Sequence, residues 1–347
     1  MSKDSNSITQ RKKEHLELCL TGEVSFKEKR NGFASYDFKH YAITEVILKK
    51  ISFKTDFLGK KINYPFLISC MTGGTEESED VNTKLAIAAN ELNIPIGVGS
   101  QRHALESTSF HKSYKIIRKN APHIPILGNI GASQLVLFES FKPMQKIVEL
   151  VNADAMVVHL NSLQELMQKN GEPNFTGLLK ELEKLVKYLD VPIIVKEVGA
   201  GISKDAAKKL LQTGIKGIDV AGAGGTSWAG VETLRKKEVP NYFWDWGLPT
   251  SYCIRKVYKL KNEFDFCLIG SGGINSGVDM AKAFALGADI CASARTILIQ
   301  LDKNGTDGVI SLIREWFEVV RKILYLTGSS SIRDLQNHKL IRKDKLI

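Results

Sequence analysis

Two short segments near the end of this sequence have the residues and spacing of a phosphate site. Gly272-Gly273 follows one apolar run and Ala294-Arg295 follows the next. Glycines free backbone N–H groups at the start of a helix, where the helix dipole also favours an anion. A tight turn needs glycine as well. The place of the two segments after the seventh and eighth apolar runs favours phosphate binding.

Lys196 ends the otherwise apolar run 192–196. A lysine in this place can form a Schiff base, bind a phosphate, or stabilise the anionic form of a reduced flavin. It can also extend from a rim into solvent on its long aliphatic stem. The sequence leaves these roles open, but a lysine that ends a buried run is more typical of a site than of ordinary surface.

His159, Gln164 and Glu165 follow another apolar run within one short segment. We expect Gln164 and Glu165 to lie in a loop, where a carboxylate can hold Mg²⁺ against a phosphate. Each residue also has a simpler interpretation. Most Gln-Glu pairs on helices are solvated, and a histidine at a strand end can bond a neighbouring loop.

Eight apolar runs position these residues and predict the fold. They lack polar alternation, which is typical of parallel strands covered on both faces, and segments of helical period separate them. Eight such alternations favour an α/β TIM (β/α)8 barrel over an open doubly wound sheet, with the polar strand ends forming one ring. The runs are 66–70, 94–99, 124–129, 155–160, 192–197, 217–222, 266–271 and 289–294.

The rest of the chain divides around this barrel. A helix is expected around 9–20, a small hairpin around 42–53 and an amphipathic closing helix at 308–327. The divisions are an N-terminal arm and extension at 1–65, the barrel at 66–327, a long Trp- and Gly-rich insert after strand six at about 227–250, and a basic C-terminal tail at 328–347.

Composition excludes several classes of protein. Apolar residues make up 43% and charged residues 25% of the chain, which is ordinary for a globular protein, and no apolar run reaches the roughly 18 residues of a membrane span. The five scattered cysteines and the lack of a secretory signal indicate a cytoplasmic protein. The net charge is +10, but the basic residues are not interleaved with the stacking aromatic residues that are typical of RNA-binding modules. We therefore expect no nucleic-acid or membrane partner.

Taken together, the motifs resemble type 2 isopentenyl-diphosphate delta-isomerase, the FMN-dependent form of that enzyme. The resemblance covers about residues 8–327, and its most specific parts are HLNSLQE (159–165) and GAGGTSW (222–228). The other matching segments are RKKEH (11–15), MTGGT (71–75), GVGSQR (97–102), NIGASQL (129–135), VKEVGAGIS (195–203), WGLPT (246–250), GSGGINSGVDMAKAFALGAD (270–289) and AR (294–295).

The resemblance implies the interconversion of isopentenyl diphosphate and dimethylallyl diphosphate by a 1,3-allylic proton shift, a step of isoprenoid biosynthesis. It implies FMN, Mg²⁺, NADPH to reduce the FMN, a small diphosphate substrate and a homo-oligomer. Gln164 and His159 match catalytic positions, and Glu165 matches the metal ligand. Substrate positions match Arg11, Lys12, Ser100, Arg102, His159 and Gln164. FMN positions match Met71, Thr72, Ser100, Asn129, Lys196, Thr226, Gly272, Gly273, Ala294 and Arg295.

Three positions depart from the family pattern. Asn275 stands where arginine is common, Thr296 where proline is common, and Asn170-Gly171-Glu172 replaces a usual Glu-Gly-Asp. The first two concern the phosphate end of the flavin site, and the third concerns the loop after Glu165.

An FMN-dependent 2-hydroxy-acid oxidase is the alternative. Such an enzyme needs a histidine base and carboxylate-binding arginines around the seventh-strand loop, and residues 270–277 contain neither. An inosine-monophosphate dehydrogenase needs a cysteine nucleophile after the sixth strand, and residues 222–228 contain none.

Overall fold

The chain begins with a helix and a short, mostly irregular segment that lead into the barrel. Helix α1 is Ser2–Thr21, so the helix expected around 9–20 is confirmed and begins earlier. Strand β1 is Tyr36–Phe38, and strands β2 (Thr55–Phe57) and β3 (Lys60–Ile62) form a hairpin. The computed structural model of the chain describes residues 2–21, 23–236, 242–337 and 339–346.

The hairpin expected around 42–53 is wrong. That stretch is irregular apart from a 3₁₀ turn at Leu48–Lys50, and the hairpin lies beyond it. The two residues that join its strands, Leu58 and Gly59, have φ angles of 52° and 76°. Positive φ at both positions is the requirement of the tight type I′ hairpin turn, and glycine adopts it readily.

Eight parallel strands close into a barrel, which confirms the predicted TIM (β/α)8 fold. The last strand pairs with the first, with Cys291 opposite Phe66. Each predicted apolar run matches one strand, although the third strand continues two residues past its run. The strands are β4 (Phe66–Ile68), β5 (Ile96–Gly97), β6 (Ile126–Gly131), β7 (Ala155–Leu160), β8 (Ile193–Glu197), β9 (Gly217–Asp219), β10 (Cys267–Gly270) and β11 (Ile290–Ser293).

Helices connect the strands and cover the outside of the barrel. The closing helix begins at Arg295, well before the expected 308, and is interrupted at Gly305, where φ is 65°. The helices are α2 (Glu76–Leu92), α3 (Arg102–Glu106), α4 (His111–Asn120), α5 (Ala132–Leu135), α6 (Lys142–Val151), α7 (Ser162–Met167), α8 (Leu178–Tyr188), α9 (Lys204–Gln212), α10 (Trp228–Lys236), α11 (Thr250–Val257), α12 (Gly277–Ala285) and α13 (Arg295–Leu326).

The interior of the barrel is apolar at its amino end. Phe57 and Ile62 of the β2–β3 hairpin are buried there against Leu127, Ile194 and Ile269. The N-terminal extension therefore closes the bottom of the barrel. The polar residues that follow the strands are left at the opposite, carboxyl end.

The insert and the tail both pack against the N-terminal extension. Helix α10 begins the insert, whose residues 237–241 lie outside the described residues, and Asp245 Oδ1 accepts hydrogen bonds from the backbone N–H groups of residues 27–29. The tail contains α14 (Ile332–Leu335) and β12 (Leu340–Arg342). Strand β12 pairs antiparallel with β1. Among the described helices, none has the length and apolar character needed to cross a membrane.

Candidate functional site

A cavity of about 520 Å³ opens at the carboxyl end of the barrel. Helix α1 contributes to its wall through residues that include His15, Leu16 and Cys19. The structure brings together there every site residue expected from the sequence: Arg11, Lys12, Met71, Thr72, Ser100, Arg102, Asn129, His159, Gln164, Glu165, Lys196, Thr226, Gly272, Gly273, Ala294 and Arg295.

Lys196 is a buried cation at the end of β8. Its ammonium donates to the carbonyl of Glu197 at 2.6 Å, and among the described residues no other acceptor takes a hydrogen bond from it. The neighbouring strand places Asp219 beside it in register. Burial raises the pKa of Asp219 against the opposing charge of Lys196. Lys196 therefore has donor capacity left for an acceptor inside the cavity.

His159 is neutral and its tautomer is fixed. Asn129 Nδ2 donates to the carbonyl of Val98 at 3.2 Å, which turns Asn129 Oδ1 toward His159 Nδ1 at 2.9 Å. Because that oxygen only accepts, Nδ1 carries the proton and Nε2 keeps its lone pair. Burial, together with the charge of Lys196, lowers the pKa of His159 to about 3. The imidazole is thus an acceptor at neutral pH and not a cation.

Gln164 and Glu165 lie on helix α7, directly after β7, and not in a loop as expected. Asn161, which precedes the helix, donates its side-chain amide to Glu165 Oε1 at 2.9 Å and to Gln164 Oε1 at 3.4 Å. The backbone N–H of Glu172 donates to Glu165 Oε2 at 2.8 Å. The buried Glu165 carboxylate is held by one bond to each oxygen, which leaves a lone pair on each for another ligand.

Arg11 and Lys12 differ in the hydrogen bonds that they make to the rest of the protein. None of the described residues accepts a hydrogen bond from Arg11, whereas the Lys12 ammonium bonds the carbonyls of Gly73 and Ser100 and the hydroxyl of Tyr114. Burial and the charge of Arg11 lower the pKa of Lys12 to about 7. Arg11 is therefore the freer cation, and the charge of Lys12 depends on pH near neutrality.

The glycine-rich end of the cavity is formed by crowded backbone. A Cβ atom on Gly272 would lie 2.1 Å from the carbonyl oxygen of Gly222, and the φ angles of Gly272 and Gly273 are 99° and 68°. Packing and backbone conformation both require glycine here. Beside it lie two of the three residues that depart from the family pattern. They contact each other, since Thr296 Oγ1 donates a hydrogen bond to Asn275 Oδ1 at 2.7 Å.

Arg295 connects the eighth strand to the N-terminal arm. Its Nε donates to the carbonyl of Cys19 at 2.8 Å and its Nη1 to Ser25 Oγ at 2.7 Å. The side chain thus already bonds the protein at two nitrogens, and its Nη2 group bonds none of the described residues.

Sequence reasoning missed a buried charge cluster centred on Glu232 of α10. This fully buried carboxylate bonds His15 at 2.9 Å and Arg235 at 2.6 Å, and Gln164 Nε2 donates to it at 3.4 Å. Burial opposes ionisation, but His15 and Arg235 outweigh it and lower the pKa of Glu232. The His15 ring also meets Trp228 edge-on at 5.0 Å. The cluster joins α1, α7 and α10, and nothing in local sequence pairs residues 217 positions apart.

No group of three or more His, Cys, Asp or Glu side chains suited to a metal ion occurs among the described residues. A magnesium ion at Glu165 would have a single carboxylate from the protein. That donor set fits Mg²⁺ held mainly by water and phosphate oxygens, which is its common mode in phosphate-binding enzymes.

Comparisons with known proteins show the family to which the chain belongs. The model of the FMN-dependent dehydrogenase family matches residues 5–116 and 131–342. An isopentenyl-diphosphate delta-isomerase of Pelodictyon phaeoclathratiforme is 41% identical over 99% of this chain and 100% of its own length. The chain belongs to the isopentenyl-diphosphate delta-isomerase family. A further member from Methanothermobacter thermautotrophicus is 40% identical over 96% of this chain and 93% of its own.

Solved structures with the same fold are more distant from this isomerase-family chain. A flavocytochrome b2 mutant superposes with a TM-score of 0.70 at 19% identity, covering 96% of this chain and 83% of that one. A mandelate oxidase mutant superposes with a TM-score of 0.62 at 18% identity, covering 92% of this chain and 91% of that one. At these identities the likeness shows the barrel fold alone.

Proposed function

We propose that this protein interconverts isopentenyl diphosphate and dimethylallyl diphosphate, using reduced FMN and a Mg²⁺ ion. The observation that carries the proposal is full-length identity of about 40% to isomerases of that name, combined with one cavity that gathers every residue expected from their motifs. NADPH would supply the electrons that keep FMN reduced, and the cytoplasm is the proposed compartment.

The cavity has features that fit FMN. Its volume of about 520 Å³ lies within the range of about 300–1,000 Å³ typical of small-molecule sites. Lys196 offers a buried cation with unused donors beside the polar side chains of Thr72, Ser100, Asn129 and Thr226. Gly272, Gly273 and Arg295 would face the phosphate. When bound, reduced FMN supplies the acid and base for the proton shift at an alkene that protein side chains protonate poorly.

Three basic residues of the cavity lining suit a diphosphate. Arg11 donates a hydrogen bond to none of the described residues, and Lys12 and Arg102 line the same cavity. Glu165 would hold Mg²⁺ on the phosphate oxygens through the lone pairs that Asn161 and Glu172 leave open. Gln164, held by Asn161 and Glu232, would orient the substrate next to the reacting carbon.

The oxidase alternative is disfavoured by the state of the histidine. A 2-hydroxy-acid oxidase removes a proton with a histidine base, and His159, which lines this cavity, has its pKa lowered to about 3 by burial and Lys196. A group that loses its proton so readily is a poor base. Residues 270–277 supply neither a second histidine nor an arginine for a carboxylate.

The test is an anaerobic assay of the purified protein with isopentenyl diphosphate, Mg²⁺ and FMN. We expect isomerisation when FMN is reduced with dithionite or NADPH, without stoichiometric consumption of the reductant, and none when FMN is oxidised. The matched control is lactate or mandelate in air, which should yield no oxo acid. Absence of isomerisation with reduced FMN, or oxidation of a 2-hydroxy acid, would overturn the proposal.

A further inference from the structure

Glu172 places its carboxylate on Arg102 in the manner of a bound phosphate. Arg102 Nη1 lies 3.3 Å from one carboxylate oxygen and Nη2 lies 3.5 Å from the other. Gln134 Nε2 points to the same group at 3.4 Å. Paired guanidinium contacts to two oxygens are the geometry that arginine uses for carboxylates and phosphates alike.

The backbone that carries Glu172 is fixed more firmly than its side chain. Its N–H donates to Glu165 Oε2 at 2.8 Å and its carbonyl accepts from the N–H of Asn174 at 2.8 Å. A Cβ on Gly171 would lie 1.9 Å from the carbonyl oxygen of Glu165, so the chain is packed directly against α7. The Glu172 side chain itself is 40% exposed. The carboxylate can therefore leave Arg102 by side-chain rotation while the backbone stays in place.

We propose that Glu172 occupies an anion site on Arg102 in the empty protein and that the diphosphate of the substrate displaces it. This inference rests on the proposed function, since it takes the arriving anion to be a diphosphate. Glu172 then acts as a built-in competitor that weakens anion binding. Because its backbone N–H also bonds Glu165, the same residue helps to position the proposed metal ligand throughout.

Two substitutions separate this competition from a general effect of charge. Glu172→Gln keeps the shape and the backbone bonds but removes the anion from Arg102. Glu106→Gln removes an equal charge from the same arginine, because Glu106 pairs with Arg102 Nε at 3.1 Å from within helix α3. Among the residues that the structure describes, only Glu172 contacts both terminal nitrogens of Arg102, so its loss frees the pair of nitrogens that a phosphate needs.

The experiment measures the affinity of the full-length protein for inorganic pyrophosphate by calorimetry, without Mg²⁺. Glu172→Gln should bind about two- to fivefold more tightly than wild type, the effect of an ion pair of which both partners are partly exposed. Glu106→Gln should stay close to wild type. The advantage of Glu172→Gln should shrink as ionic strength rises, because salt screens the pair that it removes.

The outcomes distinguish this inference from the proposed function. If wild type and Glu172→Gln bind pyrophosphate equally, or if Glu106→Gln gains as much as Glu172→Gln, Glu172 is not a competitor and only this inference fails. If none of the three proteins binds pyrophosphate even after Mg²⁺ is added, the diphosphate site itself is wrong, and the proposed function fails together with this inference.

Discussion

Lys12 is a cavity residue whose charge depends on pH near neutrality. Its pKa is lowered to about 7, first by burial and then by the charge of Arg11. It is therefore cationic below pH 7 and largely neutral above it. An anion that binds nearby favours the charged form, so anion affinity should fall as pH rises through 7, and binding above pH 7 should take up a proton.

Calorimetry of pyrophosphate binding at pH 8, in two buffers of different ionisation enthalpy, measures this uptake. Wild type should take up about one proton more than Lys12→Met, since the lysine is the group that recharges. The comparison with Lys12→Met cancels the protonation of pyrophosphate itself. An equal buffer dependence in the two proteins would show that Lys12 does not change its protonation state when the anion binds.

For individual residues, the sequence predicted which side chains lie together in the cavity, but not their hydrogen bonds or their protonation states. Strand ends are recognisable because polar residues follow buried apolar runs, so Asn129, His159 and Lys196 were found. The neutral state of His159 and the three bonds of Lys12 depend on burial and on distant carbonyls. Neither has a local signature.

The element that connects the site to the rest of the chain is helix α10. Its Glu232 is fully buried and bonds His15 on α1, Arg235 on α10 and Gln164 on α7. Breaking a buried ion pair is strongly destabilising because the remaining partner loses its compensation. Here Arg235 also bonds Glu14, which reduces the loss.

Glu232→Gln should weaken the attachment of α1 by up to about 3 kcal/mol. Limited proteolysis with trypsin should then cut the helix faster at Arg11, Lys12 or Lys13. Glu14→Gln is the matched control: it also removes a carboxylate from Arg235, but its side chain is 37% exposed, so the change should be under about 1 kcal/mol. Equal cleavage rates for the two variants would mean that burial of Glu232 does not fasten the helix.

Helices and strands were predictable where the hydrophobic periodicity was strong. They were not predictable where a turn determines the position of the element. All eight barrel strands follow from apolar runs, and the presence of helices between them follows from the segments of helical period. The β2–β3 hairpin was misplaced because its signal is the Leu58-Gly59 turn, while the mixed polar and apolar residues at 42–53 indicated a hairpin that does not form there. The short helix α7 was taken for a loop because six residues give too little periodicity.

The residues that fill the barrel core and the residues of the candidate site lie at opposite ends of the barrel. Phe57 and Ile62 fill the amino end, and the cavity occupies the carboxyl end. Residues 1–65 and 328–347 were predicted as separate regions. In the structure the first supplies both the plug of the barrel and part of the cavity wall, and strand β12 of the second pairs with β1.

Phe57→Ala should destabilise the protein by about 3–5 kcal/mol, because it removes a buried aromatic ring and leaves a cavity. Urea unfolding measures this loss, and the affinity for FMN, followed by flavin fluorescence, should be unchanged. Ile43→Ala is the control, since Ile43 is 76% exposed and its loss should change stability by less than about 0.5 kcal/mol. A parallel fall in FMN affinity would contradict the independence of the two ends.

Helix α1 is fastened to the barrel between Lys12 and Cys19, and this has a kinetic consequence. Lys12 donates hydrogen bonds to carbonyls that follow barrel strands β4 and β5. His15 bonds Glu232 on α10, and Arg295 donates to the carbonyl of Cys19. A ligand whose route passes beneath α1 enters only when several of these bonds break together. Such a barrier slows arrival and departure by the same factor and leaves the equilibrium constant unchanged. Occupancy of the cavity would therefore reflect the history of the sample as well as the concentration of ligand around it.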